Sequence, residues 1–486
     1  MKNSKLASKI NLDPHLARLT LLVATGILCG LMQSSLNIPW LAFFAFIPMT
    51  LFLSKSLDRI DFRKNFLLFF LPYYLVQLSF LLTIWKLCPL PKALSIPLAV
   101  LCLAALTLWE ALLMYIPLCL YLPIKRRFRL FKHRFAEIIF FCLLVCAGEW
   151  LQEHVPVLAF PWSAVWLTVT DSPLLLQSAT LFDCRTTTFF ILLINALHAE
   201  AYLSFIRSKR FGYVLTALVL QCANLAYGAY SLDLNKKLYA ISPKLDVICA
   251  QDSLEGREKS RRKALESARS YVSILDKGWQ WGTDLVLLPE SAVPKDFDST
   301  IDEFTLLSDF ADTKGCTVVT GSFYLQNGAD YNALLAYDKN GSPSAPYFKQ
   351  VLVLFGEKIP FANLFGVTTM SECYESAYAK PITADGVTIG SVICVESVFP
   401  SIVRSQKDQG AQLICISTND SWFGKSSARE QHYRHSIMRA VENRRYVLRA
   451  GNCGISAIIS PSGEQLSVKS DSTKGVVYGE IALIGK

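Results

Sequence analysis

The sequence predicts an α-helical membrane domain followed by an α/β domain. Two observations carry this. Of the 486 residues 52% are hydrophobic, and the long apolar stretches crowd into the first 230. From about residue 240 the pattern changes to short apolar runs separated by charged stretches and Gly or Asn turns. The length also exceeds what one domain usually holds.

Seven stretches approach the roughly 20 residues that cross a bilayer. They lie at about 19–36, 38–54, 65–85, 95–122, 135–151, 186–206 and 211–230. The third, NFLLFFLPYYLVQLSFLLTIW, carries no charge, whereas the fifth has Glu137 and Glu149 near its ends. One apolar stretch follows another, which excludes a signal peptide alone. Residues 1–231 are therefore expected to form the membrane domain and residues 232–486 an extracytoplasmic domain.

Loop charge gives the expected orientation. One set of loops collects Lys2, Lys5, Lys9 and Arg18, then Lys55, Arg59, Arg63 and Lys64, then KRRFRLFKHR at 125–134, then Arg207, Lys209 and Arg210. The alternate set holds only Lys86 and Lys92. The basic side is cytoplasmic, so the amino terminus is expected inside and, after seven crossings, residues 231–486 outside. The net charge of +9 is mostly these anchoring residues. The partner they point to is the membrane, not nucleic acid.

Fourteen cysteines are present, and eight lie in or beside the spans, where Cys acts as a small hydrophobe. The other six are Cys249, Cys316, Cys373, Cys394, Cys415 and Cys453. None forms a CxxC pair or a metal spacing with His. No metal and no cofactor is expected. An extracytoplasmic compartment permits disulfides, yet most of these cysteines sit in apolar strand runs and read as free buried thiols.

The outer domain alternates strands and helices. KLDVICAQ is a strand, 257–276 a charged helix, and TDLVLLPE an apolar run of strand length. A helix at 299–314, the strand CTVVTGSFY and a hairpin-like pair around DKNG at 338–341 follow. Then come the strand GVTIGSVICVES, a short helix SIVRSQKDQGA, the strand QLICISTND and the helix SSAREQHYRHSIMRAVENRR. VLRAGNCGISAIISPSGEQLSV reads as two strands around SPSG. This pattern suits sheets covered by helices.

In such domains reactive groups gather at the carboxyl ends of strands. Glu290 follows DLVLLP, Cys394 follows GSVI, Asn419 and Asp420 follow LICIST, and Lys349 follows an aromatic segment. A thiol attacks as thiolate. Glu290, leaving a dry strand, is a candidate base with a raised pKa. Lys349 is a candidate to stabilise thiolate and oxyanion, with backbone N–H groups near Val395. Each alone also has an ordinary explanation: a capping carboxylate, a core thiol, a solvated charge. Spacing does not bring them together.

PES at 289–291, YFKQVLVLFGE at 347–357 and ICVES at 393–397 resemble, in order, the three catalytic motifs of the nitrilase (carbon–nitrogen hydrolase) superfamily. Following a multi-span membrane part, they are similar to one family within it, apolipoprotein N-acyltransferase. FGEKIP (355–360), STNDSWFG (417–424), QHYRHSIMRAVENRR (431–445) and RAGNCGISA (449–457) resemble that family, as do GEWLQ and AFPWSAVWL in its periplasmic loop.

The resemblance implies a nitrilase-like four-layer α-β-β-α sandwich, a catalytic triad of Glu290, Lys349 and Cys394, and supporting carboxylates Glu357 and Glu396. It implies a multi-pass protein of the bacterial inner membrane with a periplasmic catalytic domain. The implied reaction is ping-pong: Cys394 takes an acyl group from a phospholipid donor and passes it to the α-amine of a diacylglyceryl-apolipoprotein acceptor. Water must be kept from the thioester, so an apolar mouth is expected. Phe355, Trp422 and Phe423 are the substrate-binding candidates, with Leu354, Phe361, Phe365 and the loop FANLFGVTTMSECYESAY beside them. Relatives carry an eighth span after the catalytic domain, an aromatic residue where Val395 stands and a proline where Leu354 stands. A membrane-tethered amidase with the same triad, or a catalytically retired lipoprotein-binding scaffold, are the alternatives.

Overall fold

The computed structural model describes residues 13–34, 36, 38–86, 91–128, 133–156, 158–208, 211–254, 263–353, 357–358, 373–377 and 380–485. Two compact units divide the chain: one of residues 1–152, 163–169 and 188–223, the other of 153–162, 170–187 and 224–486.

Among the described residues six helices are long and apolar enough to cross a membrane. They are His15–Met32, Arg59–Thr83, Lys92–Arg127, Arg134–His154, Cys184–Ile206 and Gly212–Ile241; the first three lie within the first unit and the other three have residues in both. The second expected span differs. Pro39–Ser54 is a shorter apolar helical segment, rising about 24 Å at 1.5 Å per residue against a hydrocarbon core of about 30 Å. It is broken into a 3₁₀ turn Pro39–Leu41 and helices Ala42–Ala45 and Ile47–Ser54, with Phe46 between them and Pro48 at the entry of the last piece. A proline has no N–H to continue the ladder.

The carboxylates that weakened the fifth span are paired. Glu137 meets Lys125 at 2.5 Å and also contacts Arg134, which reaches Glu200 at 2.5 Å; Lys55 reaches Glu200 at 2.8 Å. Glu149 accepts from the Val165 N–H at 2.8 Å and the Thr188 hydroxyl at 3.1 Å. Partners of this kind are what make ionisable groups tolerable in a bundle.

The second unit contains two six-stranded sheets. In chain order the strands are β1 (Lys244–Gln251), β2 (Leu285–Leu287), β3 (Thr317–Gln326), β4 (Ala329–Tyr337), β5 (Tyr347–Phe348), β6 (Ile382–Ala384), β7 (Val387–Ile393), β8 (Leu413–Asn419), β9 (Val447–Asn452), β10 (Ser456–Ile459), β11 (Gln465–Lys469) and β12 (Gly475–Ala482). One sheet has the order β12-β1-β2-β3-β4-β5, the other β11-β10-β9-β8-β7-β6. β1, β2 and β3 are parallel neighbours, as are β7, β8 and β9.

Alternate side chains of the two sheets meet in one core, with Val247, Leu285, Leu287, Ile389, Leu413 and Leu448 fully or almost fully buried. Helices Ala264–Gly278 and Asp302–Lys314 bury Tyr271, Leu275, Phe304 and Leu307 against the outer face of the first sheet. Helices Pro400–Asp408 and Ala428–Asn443 pack on the second. The result is the expected four-layer α-β-β-α arrangement.

Several elements differ from expectation. β3 and β4 form a hairpin at Asn327 and Gly328, with φ of 53° and 77°, the paired left-handed residues a two-residue hairpin needs. The final segment forms three strands, not two: besides the SPSG turn, a second reversal at Cys453 separates β9 from β10. β12, not foreseen, closes the first sheet against β1. Residues 153–162 and 170–187, which fall almost wholly between the fifth and sixth expected spans, group with this unit. Ser401 N–H donates to Glu153 at 2.8 Å, Gln177 to the Ser462 carbonyl at 2.9 Å, and Trp162 Nε1 to Gln431 at 2.7 Å.

Candidate active site

Three strand ends supply the candidate site. Glu290 lies in the turn after β2, Lys349 follows β5, and Cys394 follows β7. The Glu290 turn rests directly on β3 at Gly321, where an added Cβ would lie 2.5 Å from the Ser291 nitrogen and 2.6 Å from the Pro289 oxygen. Only glycine allows that approach. Across the sheets, the Ser417 hydroxyl donates to the Leu288 carbonyl at 2.8 Å. This ties the end of β8 to the same turn.

Lys349 is completely buried. Its Nζ donates to Glu290 Oε1 at 2.9 Å and to Glu357 Oε1 at 2.9 Å. Burial pulls the ammonium down, but Glu290 and Glu357 more than offset it, and Lys349 is held well above its ordinary pKa. Asn332, on β4, donates from Nδ2 to Glu290 Oε1 at 2.8 Å. Its carbonyl accepts the Lys349 N–H at 2.9 Å, so one residue orients both members of the pair. Glu357 Oε2 accepts the Val353 N–H at 2.8 Å.

Cys394 is 5% exposed and has φ +52°, in the left-handed region. β-strand φ/ψ cannot continue through such a residue, and the chain turns into a 3₁₀ helix, Cys394–Val398. Burial raises the thiol above its usual range; the Glu290 charge adds to this, and Lys349 and a Thr418 hydrogen bond oppose it. The sulfur thus feels both charges of the Glu290–Lys349 pair and is protonated at rest.

Glu396 is buried behind this turn. It accepts the Ile393 N–H at 2.7 Å, the Gln350 N–H at 2.5 Å and the Tyr347 hydroxyl at 2.8 Å. Burial pushes its carboxyl up to about 7, against the pull of those donors and of Lys349. It therefore joins the Cys394 turn to the residue following Lys349.

Of the expected mouth residues, Trp422 is 43% exposed. Phe423 packs its ring 5.5 Å from Trp162 and 5.8 Å from His432. Phe355, Leu354, Phe361 and Phe365 lie outside the described residues, as does most of the loop FANLFGVTTMSECYESAY. Sequence reasoning missed Asn332, Tyr347 and Gln350. A polar residue inside the strand YNALLAY usually faces solvent, and nothing in its neighbours signals otherwise.

The arrangement brings a buried carboxylate, a buried ammonium and a buried thiol within electrostatic reach of one another, the groups that acyl transfer through a thioester calls for. Residues 251–484 match the family model described as carbon-nitrogen hydrolase. Residues 25–197 match that described as apolipoprotein N-acyltransferase N-terminal domain. The apolipoprotein N-acyltransferase of Rhizobium leguminosarum bv. trifolii (strain WSM2304) is 28% identical over 340 residues, 65% of this chain and 62% of that protein. The apolipoprotein N-acyltransferase of Gloeobacter violaceus is 28% identical over 333 residues, 66% of this chain and 62% of that protein. The chain thus spans somewhat under two thirds of the length of these curated relatives. The crystal structure of a carbon-nitrogen hydrolase from Helicobacter pylori G27 covers 50% of this chain and 90% of its own, with 16% identity and a TM-score of 0.40.

Proposed function

We propose that the chain is a member of the apolipoprotein N-acyltransferase family of the carbon–nitrogen hydrolase superfamily, whose models match residues 25–197 and 251–484, and that it moves a fatty acyl group from a phospholipid to the amino terminus of a lipoprotein. The observation that carries this reading is the buried Lys349 held 2.9 Å from both Glu290 and Glu357 beside the Cys394 turn.

In the first half-reaction Cys394 Sγ attacks the ester carbonyl of the phospholipid while Glu290 takes the thiol proton. Lys349 and the Val395 N–H face the negative charge that develops on the carbonyl oxygen. The carbon–oxygen bond breaks, Glu290 returns the proton to the leaving oxygen, and a lysophospholipid departs. In the second half-reaction the α-amine of an S-diacylglyceryl-cysteine attacks the thioester. Its proton passes to Glu290, the carbon–sulfur bond breaks, and the thiol is restored. Glu357 holds Lys349 in place, and Glu396 holds the Cys394 turn. Trp422, Phe423 and Phe355 are assigned to the acyl chain.

The site is proposed to work on the periplasmic side of the bacterial inner membrane, the amino terminus lying in the cytoplasm. The six apolar helices favour a lipid donor over a soluble amide, which is why the amidase alternative ranks second. The two are separated by the acceptor. Purified protein with phospholipid should N-acylate a diacylglyceryl-cysteinyl peptide. Release of ammonia from small amides without any such product would overturn the proposal.

A further inference from the structure

Behind Cys394 lies a buried polar chain that the reaction above does not use. The Cys394 carbonyl accepts from His432 Nε2 at 3.0 Å and from the Ser397 hydroxyl at 2.9 Å. A carbonyl oxygen only accepts, so this hydrogen bond needs the proton on Nε2, which also lies 2.9 Å from the Ser397 hydroxyl. The other face of the ring, Nδ1, lies 2.8 Å from Asp420 Oδ1 and 3.1 Å from Arg449 Nη2. Asp420 also receives Arg449 at 2.8 Å and the Thr418 hydroxyl at 2.9 Å. Arg449 is fixed in turn by Ser436 at 2.9 Å and the Ile455 carbonyl at 3.1 Å. His432, Asp420, Arg449 and Ser397 are all fully buried. Trp162 stacks on the imidazole at 5.7 Å and 27°, and Phe423 meets it edge-on. The ring is held on every side.

What this chain grips is the peptide joining Cys394 to Val395. The unit is planar and trans, since no cis bond occurs among the described residues, so its C=O and N–H point in opposite directions. Pinning the carbonyl on His432 turns the Val395 N–H away from it. That N–H lies in the first turn of the Cys394–Val398 helix, where amides have no intrahelical acceptor. We propose that His432, locked by Asp420 and Arg449, is a positioning residue that presents the Val395 N–H to the oxyanion by fixing the Cys394–Val395 peptide. This rests on the acyl-transfer reading of Cys394.

The test compares two reactions of the full chain in detergent micelles. Attack on a p-nitrophenyl ester builds an oxyanion; displacement on iodoacetamide builds none. Adducts are read at the Cys394 peptide by mass spectrometry. His432→Leu is expected to slow ester acylation by about 100-fold, the scale of one lost oxyanion donor, and alkylation by less than about threefold. His432→Gln keeps an amide donor at the Nε2 position and is expected to recover at least about tenfold of that loss. Equal loss in both reactions, wild-type acylation by His432→Leu, or no recovery by His432→Gln would each overturn the proposal. Should His432→Leu not fold, Asp420→Asn releases the ring without shortening it, and acylation at the wild-type rate would overturn it equally. Wild-type protein that takes acyl from the p-nitrophenyl ester but not from phospholipid would sink the donor assignment and leave the His432 test standing.

Discussion

Cys394 keeps its proton at rest because burial, reinforced by the Glu290 charge, outweighs Lys349. The sign of the pH dependence follows. A raised thiol pKa lowers the thiolate fraction at any given pH, so the ultraviolet thiolate absorbance of Cys394, read as the difference from Cys394→Ser, should still be climbing at about pH 9, the ordinary thiol range. A full thiolate signal below about pH 7 would contradict the account. Lys349 offers a second test. Lys349→Met removes the buried cation that bridges Glu290 and Glu357, one carboxylate buried and the other half-buried. Breaking one side of a buried pair costs about 3–5 kcal/mol. The variant should melt well below wild type and form no acyl adduct; unchanged melting would show that the cluster is not the buried ion pair described here.

At the scale of elements, the close contact between β3 and the Glu290 turn carries a prediction. Gly321→Ala puts a methyl group where backbone atoms of Pro289, Glu290 and Ser291 already lie. The turn must shift and carry Glu290 with it. Acyl transfer should fall by about tenfold or more while the sheets remain, since about 1 Å of misplacement costs that much or more; full activity would show that Glu290 does not need this seat. The element pattern itself was largely legible. Long apolar runs such as DLVLLP and LICIST became β2 and β8 because alternate residues bury on both faces of covered sheets. The turn between β9 and β10 was not. Its left-handed residue is Cys453, at φ +52°, and cysteine does not advertise a turn as glycine does. Glu290, Lys349 and Cys394 were legible as strand-end residues and through family motifs. Asn332 was not, because its partners come from β2 and β5 ends far away in the chain.

For the whole molecule the central question is sidedness. The six long helices among the described residues would by themselves return the chain to the side where it began, so a periplasmic site requires the broken segment Pro39–Ser54 to carry the chain across as well. In a cysteine-free background, Trp281→Cys, at a side chain 94% exposed in the α/β unit, should react with a membrane-impermeant maleimide in spheroplasts. Leu57→Cys, at an 83% exposed position between the second and third expected spans, should react only after lysis. Labelling of Leu57→Cys in intact spheroplasts would contradict the crossing. The membrane helices could be read from composition because a bilayer demands long apolar runs. The membership of residues 153–162 and 170–187 in the α/β unit could not, because it depends on contacts such as Trp162 with Gln431.

The most direct test of the account is mass spectrometry of the whole protein after incubation with phospholipid. The account predicts one fatty acyl group on Cys394, released by hydroxylamine and absent from Cys394→Ser. No adduct, or an acyl group found only on another cysteine, would contradict it.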